Sequence, residues 1–523
     1  MTRARVRPAA SVGAGILISR ITGLARDVAI AAFLGTRFAA DAYWAAIKIP
    51  NIIRNLLGEG TLSAAFVPVY TEHLGAPETA VPDRGRRLAR SVLGGVIVTA
   101  ALLSALGVLL APWITGLLLA AADEPTRVLT TRLVRILFPM SGVLVVAAWF
   151  LGVLNSHGRF FLPFAAPALW NLSQIGGLIL AAGAGAERTA EVLAWSALVG
   201  SFVQLAVQVP AALRLSGVRR PGLEWSHEPV RRVARNSLPV ISSQGVLQIS
   251  SLVDIALAAL AGSGAMAALG YAQRLAYLPI SLFGISVAAA ALPAMSREAT
   301  GPALRRRLVN GWFQVLFFVL PAAVVFLLFG DLVVRVVYER GEFDARSAAL
   351  VTAVLGAYAL GLVAASSVKL FASGFHALQD TATPMRIAVV SVAVGVLASA
   401  SLTLWMRAAG YGALAATGLA LGSAIGSWLN LALLWVTLRR RIGPLFDSLS
   451  LRGVLRLAAA SGVATVLALA VRALLEDRLE GLGFAGDLLL LLAVLAAGAV
   501  GYLGVARRPP VPEMPGPGGV DAP

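Results

Sequence analysis

Charged side chains stand in this chain where the surrounding residues would suit the interior of a lipid bilayer. The stretch Ile16–Gly35 reads ILISRITGLARDVAIAAFLG and carries Arg20, Arg26 and Asp27. An ionised group at the centre of a bilayer costs about 2.5 kcal/mol or more unless water or a partner meets it. Arg20 and Asp27 are seven residues apart and share nearly one helical face, with Arg26 roughly a third of a turn away. The next apolar run, DAYWAAIKIPNIIRNLLGEGTLSAAFVPVY, sets Asp41 and Lys48 seven apart. Asn51, Asn55 and Glu59 follow as an i, i+4, i+8 stripe, with Arg54 beside it. Pro50 predicts a kink here, freeing backbone carbonyls that need polar or protein surroundings. Further on, Gln273 and Arg274 precede Pro279, and the run before them holds Gln244, Gln248 and Asp254.

The cations Arg20, Arg26, Lys48, Arg54 and Arg274 outnumber the acids Asp27, Asp41 and Glu59. Such an excess predicts a water-filled cavity that receives an anion. Guanidinium groups suit a phosphate, because their planar fork gives paired, charge-assisted hydrogen bonds. The competing reading is structural: ion pairs and interfacial anchors, with arginines snorkelling near span ends, which suits Arg297 and Asp41. Enzyme chemistry finds no support. There is no HExxH, GxSxG or phosphate-binding loop, and the GEG at 58–60 is too short for one. With no Cys, disulfides, thiol catalysis and cysteine metal sites are excluded, and His73, His157, His227 and His376 lack ligand spacing. No cofactor is expected. Without an ATPase module, energy must come from membrane potential, a cation gradient or substrate supply.

These residues need elements to hold them. Of 523 residues, 58% are hydrophobic and 13% charged, where soluble proteins carry roughly 25% charged. The chain reads as an all-α polytopic membrane protein with about 14 transmembrane helices. The spans fall near 11–35, 41–72, 91–119, 128–156, 162–183, 191–214, 233–260, 264–296, 308–330, 346–376, 385–406, 411–438, 452–473 and 485–505. They are too long for barrel strands of about 9–11 residues. Arginines crowd alternate loops: 84–90, 214–235, 297–307, 439–456 and 507–508, against Arg188 and Arg407 on the other side. The positive-inside rule then places both termini in the cytoplasm. The formal charge of +17 is spread over these short loops, so no nucleic-acid partner is expected. Arg3, Arg5 and Arg7 lead into an uncleaved first span rather than a signal peptide.

A repeat is visible. Asp27, Tyr43, Pro50 and Pro68 answer to Asp254, Tyr271, Pro279 and Pro293. A unit of six spans keeps one orientation and relates two bundles by an axis along the membrane normal. The expected organisation is a first lobe at 1–214, a cytoplasmic linker at 215–232, a second lobe at 233–441, a last helix pair at 442–505 and a disordered tail at 506–523.

The stretches SRITGLARD (19–27), FAADAYWAAIKIPNIIRNLLGEGTLSAAFVPVY (38–70), LQISSLVD (247–254), YAQRLAYLPISLFGISVAAALPAMSR (271–297), VYERGEFD (337–344) and ALQDTATP (377–384) are similar to the MurJ (MviN) family. These are the lipid II flippases of bacterial cell-wall synthesis, within the multidrug/oligosaccharidyl-lipid/polysaccharide exporter superfamily. The resemblance covers roughly residues 10–505. It implies two six-helix lobes plus two C-terminal helices, with alternating access in the bacterial cytoplasmic membrane. It implies export of an undecaprenyl-diphosphate-linked disaccharide-pentapeptide. The family's cavity arginines fall on Arg20, Arg26, Arg54 and Arg274. Asp27, Asp41, Lys48, Asn51, Asn55, Glu59 and Gln273 are the expected supporting or gating residues. Spans 13 and 14 resemble a pair thought to form a groove for the lipid tail. The expected partners are the lipid-linked diphosphate, the bilayer and, transiently, cell-wall synthesis proteins. The alternatives are a flippase for another lipid-linked oligosaccharide, or an ion-coupled drug exporter, which should show a net acidic cavity. In some relatives a sodium site is suggested on spans 7 and 11. Here Asp254 is the candidate ion ligand, but span 11 has neither Asp nor Asn, which favours membrane potential.

Overall fold

The computed structural model describes residues 3–75, 81–297, 301–444 and 448–506, with side chains at all of these except 3–11, 59, 243, 246, 247 and 448–450. The expected tail beyond Ala506 and the side chains of Arg3, Arg5, Arg7 and Glu59 lie outside the described residues. The chain forms two compact units, Met1–Ala267 with Arg340–Phe343, and Ala268–Glu339 with Asp344–Pro523.

The first unit contains α1 (Arg3–Leu34), α2 (Phe38–Leu57), α3 (Glu59–Thr71), α4 (Asp83–Leu118), α5 (Glu124–Ser156), α6 (Phe161–Ala165), α7 (Pro167–Leu180), α8 (Ala186–Ser216) and α9 (Glu228–Ala261). Helix α5 is its centre, with α2, α4 and α8 packed around it. It starts at Asp123, whose side chain accepts the Thr126 N–H and caps the first turn. Trp149 on α5 is fully buried and stacks on Phe66 of α3 at 6.3 Å, and Phe66 stacks on Tyr70 at 5.0 Å. Burying a large apolar side chain contributes about 1.5–3 kcal/mol, so this aromatic column anchors α3 to α5.

The run expected as one span at 41–72 is two helices. α2 continues through Pro50 and breaks at Gly58, which has φ −82° and ψ −138°. A Cβ on Gly58 would collide with the Arg54 carbonyl, so the break needs glycine. The stripe expected from Asn51 to Glu59 therefore stops at the break. The span at 162–183 likewise divides at Ala166, ahead of Pro167, a residue suited to a first helical turn. Residues of the expected linker fold onto α4. The Gly222 N–H donates to the Arg90 carbonyl at 3.2 Å, and the Trp225 ring lies over Gly95. Helix α9 packs on α2, α3 and α4, and Arg232 grips Glu72 through both terminal nitrogens at 2.6 and 3.0 Å.

The second unit holds most of α10 (Ala265–Pro279), a π-helical turn at Ile280–Ile285, α11 (Ser286–Arg297), α12 (Gly301–Leu328), α13 (Gly330–Tyr338), α14 (Ala345–Ala377), α15 (Ala382–Ala408), α16 (Ala416–Ile442), α17 (Ser448–Leu479) and α18 (Phe484–Ala506). Helix α14 is central here, packed by α11, α12 and α16. Helices α15 and α16 approach through Gly418, Gly422 and Gly426, where any side chain would strike Thr403, Ser399 or the backbone at Ser391. Such small-residue spacing brings membrane helices close enough for van der Waals packing. Among the described residues, ten helices are long and apolar enough to cross a membrane. The short, charged α13 was not anticipated from hydropathy.

Candidate functional site

The polar groups inside the first unit gather on α1, α2, α7 and α9. Arg26 and Asp27 on α1 are both buried, at 5% and 4% exposure. The Arg26 guanidinium donates to Asp27 Oδ1 from Nε at 3.1 Å and from Nη2 at 2.7 Å, and from Nη1 to Asn171 Oδ1 at 3.0 Å. Its face lies 4.9 Å from the Trp170 ring centroid. Trp170 is itself fixed by donating to the Ala197 carbonyl on α8 at 2.9 Å. Asn171 turns its amide nitrogen back to the Ser19 carbonyl and the Thr22 hydroxyl, at 3.2 and 3.1 Å. One turn on, Gln174 accepts from the buried Tyr43 hydroxyl at 2.8 Å. The α7 residues Trp170, Asn171 and Gln174 were missed in the sequence. Their signal was an Asn and a Gln three apart, hence on one face, inside an apolar run.

Asp41 does not turn to Lys48, seven residues on. Its carboxylate, 2% exposed, accepts the backbone N–H groups of Gly264 and of Ala267, the latter at 2.8 Å. It thus caps the first turn of α10 from a distant part of the chain. The first N–H groups of a helix have no partner within it, and the helix dipole favours a negative charge there. Lys48 on α2 and Asp254 on α9 are both half-buried. Asn55 donates to Gln248 of α9 at 3.1 Å. The Asn51 side-chain oxygen is buried and meets no donor among the described residues. Arg54 is half-buried in the last turn of α2, where a cation suits the carbonyl end of the dipole. Arg20 is exposed on α1. In the second unit, Gln273 and Arg274 are exposed on α10, ahead of Pro279 and the π-helical turn.

The second unit also contains an apolar cavity of about 300 Å³ between α12, α17 and α18, bordered by Phe317, Phe318, Phe329, Ala468, Val494 and Tyr502. Beyond its Phe329 end, Arg472 is bidentate to Asp331 at 3.0 and 2.7 Å and also grips Glu476 at 3.0 and 2.9 Å. Arg335 meets Asp487 at 3.4 Å. This network joins α13 to α17 and α18. Its sequence trace was two pairs at i, i+4, Asp331 with Arg335 and Arg472 with Glu476.

Residues 30–494 match the family model described as lipid II flippase MurJ. The chain belongs to the MurJ family. Arg54 and Arg274 lie inside the matched region, and Arg20 and Arg26 precede it. A probable lipid II flippase MurJ of Rhizobium tropici is 35% identical over 441 residues, covering 82% of this chain and 80% of the relative. Another, from Bdellovibrio bacteriovorus, is 30% identical over 505 residues, covering 95% and 93%. A solved lipid II flippase MurJ in an inward closed conformation aligns with a TM-score of 0.72 at 22% identity, over 95% of this chain and 98% of that one. An inward-facing multidrug resistance MATE family transporter of the MOP superfamily aligns with a TM-score of 0.64 at 16% identity, over 82% and 95%. At such identities the likeness is one of fold, that of an all-α polytopic membrane protein. MurJ proteins are transporters rather than enzymes, and the drug-exporter alternative loses to the family match.

Proposed function

We propose that this protein flips lipid II from the cytoplasmic to the outer leaflet of the bacterial inner membrane by alternating access. The observation that carries this reading is the family match over residues 30–494. Arg20, Arg26, Arg54 and Arg274 bind the diphosphate. Arg26 does so by exchanging part of its contact with Asp27 for phosphate oxygens, while Asn171 and Trp170 keep the guanidinium plane oriented. Asp27, Lys48, Asn51, Asn55, Glu59 and Gln273 support or gate the site. Asp41 supports it by holding the first turn of α10. The α12–α17–α18 cavity takes part of the polyprenyl tail. Its volume is at the lower end of ligand pockets, so it holds a segment of the chain. Both termini are cytoplasmic, a reading supported by the arginine-rich alternate loops. The lobes comprise six spans each, with the last pair added, and contacts with cell-wall synthesis proteins are transient.

Membrane potential drives the cycle. Each charge crossing the membrane is worth about 2.3 kcal/mol per 100 mV, and an anionic head group moving outward from a negative cytoplasm is favoured. The lack of Asp and Asn in span 11 supports this over a sodium site at Asp254. Depletion in the native host tests the function. Lipid II should accumulate on the cytoplasmic face. Normal lipid II translocation with loss of another surface polymer would refute the assignment.

A further inference from the structure

Helix α12 contains Pro321. Proline has no N–H, so the Phe317 carbonyl, four residues earlier, loses its helical donor. In lipid a freed carbonyl must find another partner. The donor comes from α18. The buried Tyr502 hydroxyl donates to the Phe317 carbonyl at 2.8 Å, and its ring packs on the Phe317 ring at 5.3 Å. This contact borders the apolar cavity on one side. At the Phe329 end, Arg472 and Arg335 tie α13 to α17 and α18. The hairpin of α17 and α18 is therefore fastened by polar contacts near both ends of the cavity. The other hydroxyls on the wall are turned inward along α17: Ser461 donates to the Leu457 carbonyl and Thr465 to the Ser461 carbonyl, at 2.9 and 2.8 Å. What faces the space is almost wholly hydrocarbon.

We propose that Tyr502 is a positioning residue for the polyprenyl chain, its hydroxyl replacing the donor that Pro321 removes and so fixing the separation of α12 and α18 at which a polyprenyl segment fits between them. This rests on the reading of the cavity as the tail site. Two roles for the hydroxyl must be told apart. It meets a carbonyl, which is structural, and it ties two helices together, which is positional. Pro321→Ala separates them. It returns a backbone donor to Phe317 but supplies no link to α18.

The experiment uses the full chain in detergent with a benzophenone-bearing polyprenyl diphosphate as photoprobe. Labelled residues are mapped by mass spectrometry, and thermal stability is followed in parallel. In the unaltered chain the probe should label residues of α12 and α18. Tyr502→Phe should lower both stability and labelling, the latter roughly three- to tenfold, the scale of one net hydrogen bond. Tyr502→Phe with Pro321→Ala should recover stability while labelling stays low. Pro321→Ala alone should keep labelling, because a carbonyl can accept from both donors. Labelling that survives Tyr502→Phe, or returns in the double variant, overturns the positioning role. A cavity that takes up no probe in the unaltered chain overturns the tail-site reading itself.

Discussion

Replacing Arg26 with Gln separates what this residue does for the fold from what it does for transport. Arg26 and Asp27 are almost fully buried, and three guanidinium N–H bonds of 2.7–3.1 Å reach Asp27 and Asn171. Removing one partner of a buried pair leaves the other charge uncompensated and costs about 3–5 kcal/mol. Losing the stack on Trp170 adds about 0.5–2 kcal/mol. Against a typical net stability of about 5–15 kcal/mol, Arg26→Gln should unfold at visibly lower temperature and reach the membrane in smaller amount. The neutral double variant, Arg26→Gln with Asp27→Asn, removes the stranded carboxylate and should recover most of the stability. It should not recover translocation, because the diphosphate still lacks its fork. Arg26→Lys keeps the charge without the fork and should transport partly. The assays are size-exclusion survival after heating in detergent and lipid II translocation in proteoliposomes. If Arg26→Gln melts like the unaltered chain, the pair is not structural. If the double variant transports normally, Arg26 is not a substrate group.

Asp41→Ala should strand the Gly264 and Ala267 N–H groups at about 1–3 kcal/mol each, with Asp41→Asn milder because it keeps an acceptor. Equal melting of all three proteins would refute the capping role. Asp380 is pushed down from 3.8 to about 2, first by the Thr383 hydroxyl and backbone N–H, then by Arg441. A carboxyl lowered in the folded state stabilises fully above its ordinary value and loses that effect as pH falls through the lowered one. The stability gap between the unaltered chain and Asp380→Asn should therefore shrink between pH 3.8 and about 2, and a gap constant over that range would refute the assignment. In sodium-free proteoliposomes, a valinomycin–potassium potential, negative on the side that corresponds to the cytoplasm, should accelerate translocation. Dependence on an inward sodium gradient alone would transfer attention to Asp254.

The spans were legible because lipid demands long apolar runs, and because arginines crowd alternate loops between them. Breaks within spans were harder to read. Pro50 has the stronger reputation as a helix breaker, yet α2 tolerates it, and Gly58 breaks the run through its backbone conformation. The presence of charges at Arg26, Asp27 and Asp41 was plain, but their partners were not. Arg26 finds Asp27 beside it and Asn171 145 residues away. Asp41 finds backbone groups more than 220 residues away, at separations of 223 and 226. Backbone donors leave no mark in a residue pattern, so the seven-residue spacing of Asp41 and Lys48 did not reveal where Asp41 turns. Tyr502 was illegible for the same reason, since its partner is a carbonyl that Pro321 releases.

The central claim is that this chain itself moves lipid II across a bilayer. Purified protein in liposomes carrying fluorescent lipid II tests it most directly, with an impermeant enzyme or quencher reporting lipid on the far leaflet. The expected result is translocation well above protein-free liposomes, lost in Arg54→Ala and Arg274→Ala proteins of normal stability. Translocation no faster than in protein-free liposomes, from folded protein under an imposed potential, would contradict the account.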